Sequence, residues 1–253
     1  MQASAVNLTR PVHNYLYGAS RGQPLKHSVE QDIPRSSFFF RGGAGLEELG
    51  QRAKTDLENH HDPKSCIVYI VGGLPSVTYK DVDKKWSHGV SYEEVIFNEV
   101  EEDAVNRVCG LIDNIDQQIR HMSATPCFST IIPMSLRIWN ETRLAQGRTH
   151  MLLHSQQYDD MQHFMMNTIK RVNSHIVNIN IQNQVATPHM FDVVSTYEHG
   201  ASRVHFERFE DGVHLKQMYS EKCAKKLKKA MRHNVYVLGK ALGNDIKYFD
   251  ITY

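Results

Sequence analysis

Six consecutive residues, Cys66-Ile67-Val68-Tyr69-Ile70-Val71, carry no charge and no amide side chain, and Gly72 and Gly73 end the run. A strand with one face in water alternates apolar and polar residues; an unbroken apolar run has no face to give to solvent. It has to be covered on both sides, as is a strand inside a parallel sheet. The rest of the chain supplies the covers. Leu46–Glu58 reads as a helix. Val108, Leu111, Ile112, Ile115, Ile119 and Met122 recur at spacings of three and four, one apolar face of a long helix. A second long helix is expected from about Gln156 to Asn183, with the stripe Tyr158, Met161, Met165, Ile169, Val172, Ile176 and Ile179, and a last helix from about Leu215 to Arg232. Further β-compatible runs are Val12–Tyr17, Ser36–Phe40 and Phe128–Ile132, stopped by Gly18, Gly42 and Pro133. Strands alternating with helices predict an α/β fold: a central parallel sheet with helices on both faces.

The 253 residues suffice for one such domain, and neither a linker nor a repeat divides them. The domain is expected over 1–232, with residues 1–11 as an N-terminal arm. Residues 233–253 read as a C-terminal extension and candidate assembly arm, because Tyr236, Tyr248, Phe249 and Tyr253 make it aromatic for a free tail. A net charge of +1 argues against a global attraction to nucleic acid or acidic membranes. No apolar run reaches the roughly 18 residues of a membrane span. Met1–Arg10 lacks the apolar stretch of a secretion signal, so an intracellular site is expected.

Cys66, Cys109, Cys127 and Cys223 stand far apart with no C-x-x-C pair, so zinc is not expected. They read first as buried thiols, and second as candidates for intermolecular disulfides in an oxidising compartment. His150 and His154 share a helical spacing, but no Glu follows His150 as a zinc protease needs. No metal and no cofactor are expected. Gly43-Ala44-Gly45 resembles a phosphate cradle, yet position 48 is Glu and no Gly-Lys-Ser/Thr follows. Lys222, Lys225, Lys226, Lys228, Lys229 and Arg232 make the last helix basic. A solvated face is the ordinary reading, with nucleic-acid contact as the sharper one.

In an open parallel sheet, function gathers at the carboxyl ends of the strands. Four segments fall there: Gly18-Ala19-Ser20, Gly42-Gly43-Ala44-Gly45, Gly72-Gly73-Leu74-Pro75, and Asp211-Gly212-Val213-His214 just before the last helix. A serine, a histidine and an aspartate in one crevice can form a nucleophilic triad. In order and placement the four segments resemble the blocks of the SGNH (GDSL-type) hydrolases. Gly18-Ala19-Ser20 resembles Gly-Asp-Ser, Gly43 or Gly45 the second-block glycine, Gly73-Leu74-Pro75-Ser76 the block Gly-x-Asn-Asp, and Asp211-Gly212-Val213-His214 the block Asp-x-x-His. The resemblance covers about residues 12 to 232 and implies an SGNH/flavodoxin-like three-layer sandwich. It also implies Ser20 as nucleophile, His214 as base and Asp211 as its orienter, with Gly43, Gly45 and Gly73 as oxyanion-hole candidates.

Two blocks depart from the pattern. Ala19 replaces the aspartate beside the serine, and Pro75 stands where the family has an asparagine donor. Proline has neither a side-chain donor nor a backbone N–H. With its catalytic support degraded, the chain is expected to be a self-assembling building block whose partner is a second copy of itself, in the manner of a viral occlusion-body (polyhedrin) matrix protein held in host-cell inclusions. The alternative is a serine esterase or acetylhydrolase that uses Ser20, His214 and Asp211 on a small ester.

Overall fold

The computed structural model describes residues 11–81, 94–96, 101–147, 155–198 and 201–244. Its elements run β1 (His13–Gly18), α1 (Gln23–Asp32), β2 (Ser36–Phe40), α2 (Leu46–Glu58), β3 (Cys66–Val71), α3 (Leu74–Val77), β4 (Tyr79–Asp81), β5 (Glu94–Ile96), α4 (Glu101–His121), β6 (Thr125–Phe128), α5 (Leu136–Ala145), α6 (Ser155–Gln182), β7 (Ser195–Glu198), β8 (Ala201–Val204) and α7 (Gln217–Ala241). β2, β1, β3 and β6 form one parallel sheet in that spatial order. Asn14 stands opposite Ser36, Leu16 opposite Tyr69 and Ile67 opposite Thr125. β4–β5 and β7–β8 are separate antiparallel pairs.

The apolar run behaves as its composition requires. Cys66, Val68 and Ile70 of β3 join one buried cluster with Leu49 and Ala53 of α2, Val108 and Ile112 of α4, and Ile169 and Val172 of α6. Ile67, Tyr69 and Val71 point the other way, into a second cluster with Leu25 and Val29 of α1 and Cys223, Leu227 and Met231 of α7. The sheet is thus the middle layer of three. From β1 the chain first moves outward to β2, then returns across to β3. The strand order reverses at β1, and a crevice opens there beyond the carboxyl ends of β1 and β3.

The fourth strand is not the expected Phe128–Ile132: it spans Thr125–Phe128, and 129–135 continue as a loop. Beyond β6 no described strand offers a ladder, and helix α6 supplies the partners instead. Asn180 accepts from the Phe128 amide at 3.0 Å and donates to the Phe128 carbonyl at 2.7 Å. Asn173 does the same for Ile131, at 2.6 and 3.0 Å. Seven residues are about two helical turns, so both amides lie on one face of α6. An apolar run alone cannot tell a ladder-bonded backbone from one held by side-chain amides.

The last helix also differs from expectation, ending at Ala241 rather than near Arg232. Asn234 is buried and accepts from the Ala186 amide at 2.6 Å, and Val235 and Leu238 pack on the same core as Met231. Residues 233–241 are therefore part of the helical layer, and the separate extension cannot begin at 233. The N-terminal arm up to residue 10, His150, His154, Tyr248, Phe249 and Tyr253 lie outside the described residues. Among the described residues no helix is long and apolar enough to cross a membrane.

Candidate active site

β1 ends at Gly18, packed so closely that a Cβ there would lie 2.8 Å from the Val71 carbonyl oxygen. Buried Ala19 follows, and Ser20 opens a short helical turn, Ser20–Gly22, that leads into α1 with Pro24 in its first turn. Serine at this point is lifted above the sheet's end with its amide at the head of the turn, where N–H groups lack helical partners.

The histidine arrives from the far end of the chain. His214 Nε2 lies 3.3 Å from Ser20 Oγ, and its Nδ1 lies 2.7 Å from Asp211 Oδ2. Asp211 Oδ1 accepts from the amides of Val213 and His214 at 2.9 and 2.6 Å. One carboxylate therefore both folds the loop and orients the ring. Burial works against its charged form, but the His214 amide, the His214 ring and the Val213 amide outweigh it and hold the carboxyl below its ordinary range. Gly212 makes the loop possible. Its φ is +84°, and a Cβ there would lie 2.4 Å from the Trp139 nitrogen. Its carbonyl accepts from the Ser135 amide at 2.8 Å, which fastens the loop to the head of α5.

Ser20 and His214 face a cavity of about 360 Å³, within the ~300–1,000 Å³ usual for small-molecule sites. Its walls are mostly apolar, with Leu25, Leu74, Ile131, Met134, Trp139 and Val213 among them. Sequence reasoning missed Arg21, Ser129, Thr142 and Arg143, which also line it. They come from loops and from α5, and no periodicity marks them. Arg21 donates to the carbonyls of Ile132 and Pro133 and lies 5.7 Å from the centre of the Phe209 ring. Burial pulls it down to about 10, partly offset by Cys223 and Asp211, so it stays cationic at neutral pH.

Of the oxyanion-hole candidates, only Gly43 lines the cavity, and neighbouring Gly42 is close enough that a Cβ there would lie 3.9 Å from Ser20 Cβ. Gly45 instead precedes α2, where an added Cβ would meet Ser76 Oγ at 3.1 Å. Gly73 precedes α3 at φ +110° and is backed by Ile131. Both thus stand at helix starts, off the cavity wall. Pro75 does line the cavity, and it brings no donor there.

All four thiols are free, and Cys66, Cys127 and Cys223 are buried. A second chain cannot reach those three, so the expectation of intermolecular disulfides is corrected for them; Cys109 alone is partly exposed. Burial pushes Cys223, on the cavity wall, up to about 12, against the opposing pull of Arg21 and Lys226. Among the described residues no group of three His, Cys, Asp or Glu is placed to hold a metal ion. Part of the basic face of α7 is paired: Lys226 with Asp192, and Lys228 and Arg232 with Asp32.

No family model matches the chain, and no curated protein matches its sequence. Its likeness is to solved structures. A candidate acylhydrolase from Bacteroides fragilis NCTC 9343 superposes with a TM-score of 0.56 at 12% identity, over 93% of this chain and 92% of that one. A GDSL-like lipase from Bacteroides thetaiotaomicron VPI-5482 gives 0.54 at 10% identity, also over 93% and 92%. The OSK domain of Drosophila Oskar gives 0.50 at 9% identity, over 88% and 90%. Identities this low speak for architecture and leave chemistry to the site itself. The architecture they share with this chain is that of the GDSL-type lipolytic proteins, and the chain has an SGNH hydrolase-like fold.

Proposed function

We propose that this chain is a serine hydrolase that cleaves small carboxylic esters through Ser20, His214 and Asp211. One observation carries the reading: a continuous line of contacts, Ser20 Oγ to His214 Nε2 at 3.3 Å and His214 Nδ1 to Asp211 Oδ2 at 2.7 Å, opens onto a largely apolar cavity. Catalytic hydrogen bonds are often somewhat long before substrate binds. In this reading His214 takes the Ser20 proton as Oγ attacks the ester carbonyl. Asp211 holds the ring and stabilises its protonated form. His214 then gives the proton to the leaving alcohol, and water releases the acyl group by the same route in reverse. The developing oxyanion would be met by the Ser20 amide and the glycine loop at Gly43. Pro75 leaves the third donor missing, which costs on the order of 10²–10³ in rate. The enzyme is therefore expected to be slow.

The building-block reading needs arms or thiols that reach another copy. Three of the thiols are buried, while the three chemistry-bearing side chains meet at a cavity, which favours the hydrolase. The test is hydrolysis of a short acyl ester by the purified chain, with its assembly state recorded on the same sample. Ser20→Ala is expected to abolish turnover and labelling by a serine-directed phosphonate. Equal turnover by Ser20→Ala, or none by either protein, would exclude the reading.

A further inference from the structure

Charge is unevenly spread over the molecule. Between Lys216 and Asn244 stand eight lysines and arginines and a single acid, Glu221. The whole chain has a net charge of only +1, so the remainder is net acidic. α7 turns Cys223, Leu227 and Met231 into the core. Its outer face carries Lys222, Lys225 and Lys229, all exposed. Spacings of three and four put them in one row along the helix. The basic residues beside this row are paired, Lys226 with Asp192 and both Lys228 and Arg232 with Asp32. Among the described residues none of the three in the row forms an ion pair. Glu221 accepts from Gln217 at 3.1 Å. A solvated helix face usually interleaves acids with its lysines. Here Lys225 and Lys229, four apart and alike in charge, repel each other unless a polyanion neutralises them.

The surroundings of the row decide which polyanion fits. A helix that lies on a membrane buries an apolar face in it. The apolar face of α7 is turned to the core, and Met218 is the one large apolar side chain it exposes. A single nucleic-acid strand is held largely by bases stacking on aromatic rings. The tyrosines of α7 already face cations: Tyr219 has Arg208 at 5.2 Å and Lys222 at 5.0 Å from its ring centre, and Tyr236 has Lys240 at 5.9 Å. What the face offers is contact with phosphates alone. A duplex presents about one charge per 1.7 Å of its axis, and neutralising those charges releases condensed counter-ions. The row from Lys222 to Lys229 is about 10 Å long at 1.5 Å per residue, so its three ammonium groups reach one stretch of such a backbone.

We propose that the outer face of α7 is a docking surface for duplex nucleic acid, held through its phosphates. Docking here needs nothing from Ser20, His214 or Asp211, because none of the three lysines lines the cavity.

The test is the fluorescence anisotropy of a short labelled DNA duplex titrated with the full chain at several salt concentrations. Three phosphate contacts give a slope of about −2.7 in log K against log salt, a loss of roughly fortyfold between 50 and 200 mM. The variant carrying Lys222→Gln, Lys225→Gln and Lys229→Gln is expected to bind about tenfold more weakly or worse at 50 mM salt, with most of that slope gone. A control carrying Lys54→Gln, Lys64→Gln and Lys170→Gln removes the same charge from α2, from the turn before β3 and from α6. It is expected to bind within about twofold of wild type. Circular dichroism checks that both variants fold. No binding to the duplex at 50 mM salt overturns the proposal. Equal weakening by the two variants also overturns it, since net charge alone would then be responsible. Tighter binding to a single strand of the same length, or binding to phosphatidylglycerol vesicles with none to the duplex, overturns it as well and gives the face to that partner.

Discussion

Pro75 lies on the wall of the cavity that Ser20 faces, at the position where the related block has an asparagine. It sits in the first turn of α3, where asparagine is also tolerated, so the donor can be restored without breaking the element. Pro75→Asn is expected to raise kcat on a short ester, by about tenfold at least and at most by the 10²–10³ that one oxyanion donor supplies. An unchanged kcat would mean that the oxyanion forms elsewhere. Asp211 gives a second residue-scale expectation, with a definite sign. Its carboxyl is held below the ordinary range in the fold, so the unfolded chain takes up its proton first as pH falls. Its contribution to stability is complete above the ordinary carboxyl pKa of about 3.9 and is lost as pH drops through the lowered folded value. Thermal melts of wild type and Asp211→Asn should differ most near neutrality and converge below about pH 4. Both residues were legible in the sequence because each stands in a short local pattern. Arg21 and Ser129 were not, because their environment is made by distant segments.

At the scale of elements, α6 does the work of a missing strand. Asn180 satisfies both backbone groups of Phe128 and also donates to Thr187 Oγ1 at 3.0 Å. Removing its amide leaves a buried N–H and a buried carbonyl unpaired, each costing about 1–3 kcal/mol. Asn180→Leu is therefore expected to lower the unfolding free energy by roughly 3 kcal/mol, read as a shift of the urea midpoint at constant slope. A loss below about 0.5 kcal/mol would show that the backbone finds other partners. Here the sequence misleads for a physical reason. The apolar stripe of α6 announces its helix and its buried face, while Asn173 and Asn180 lie among that stripe as ordinary polar residues. Their role depends on the register of α6 against β6, which neither segment encodes alone.

Across the whole molecule, the two helical layers bury thiols on both sides of the sheet. Burial raises Cys66 and Cys223 to about 12, and raises Cys127 further, each against a smaller lowering contribution from nearby groups. At pH 8 a thiol reagent is expected to label Cys109 first in the folded chain and all four cysteines in denaturant. Prompt labelling of three or more in the folded chain would contradict the burial. The pH dependence follows from the same shifts. An unfolded thiol releases its proton near pH 8.5, while the folded thiols keep theirs to much higher pH. Stability is therefore complete below about pH 8.5 and declines as pH rises from there toward the folded values. This places the decline at the alkaline end, opposite to that of Asp211.

The chain's local chemistry by itself determined a great deal. An apolar run with no face for water had to be a strand covered twice, and β3 is that strand, from Cys66 to Val71. Leu46–Glu58 had to be a helix, and the stripes of α4 and α6 had to face a core. These follow from periodicity, which is a property of neighbouring residues. The tertiary structure decided what depends on atoms brought together from far apart in the chain. It set Ser20 and His214, 194 positions apart, within 3.3 Å. It chose Gly43 over Gly45 to face the cavity, and it gave Phe128 an asparagine in place of a strand. It also enclosed Arg21 Nε and Ser129 Oγ without a hydrogen-bond partner. A hydrogen bond is made or lost over a few tenths of an ångström, and that precision comes from the packing of both helical layers on the sheet rather than from any one stretch of sequence.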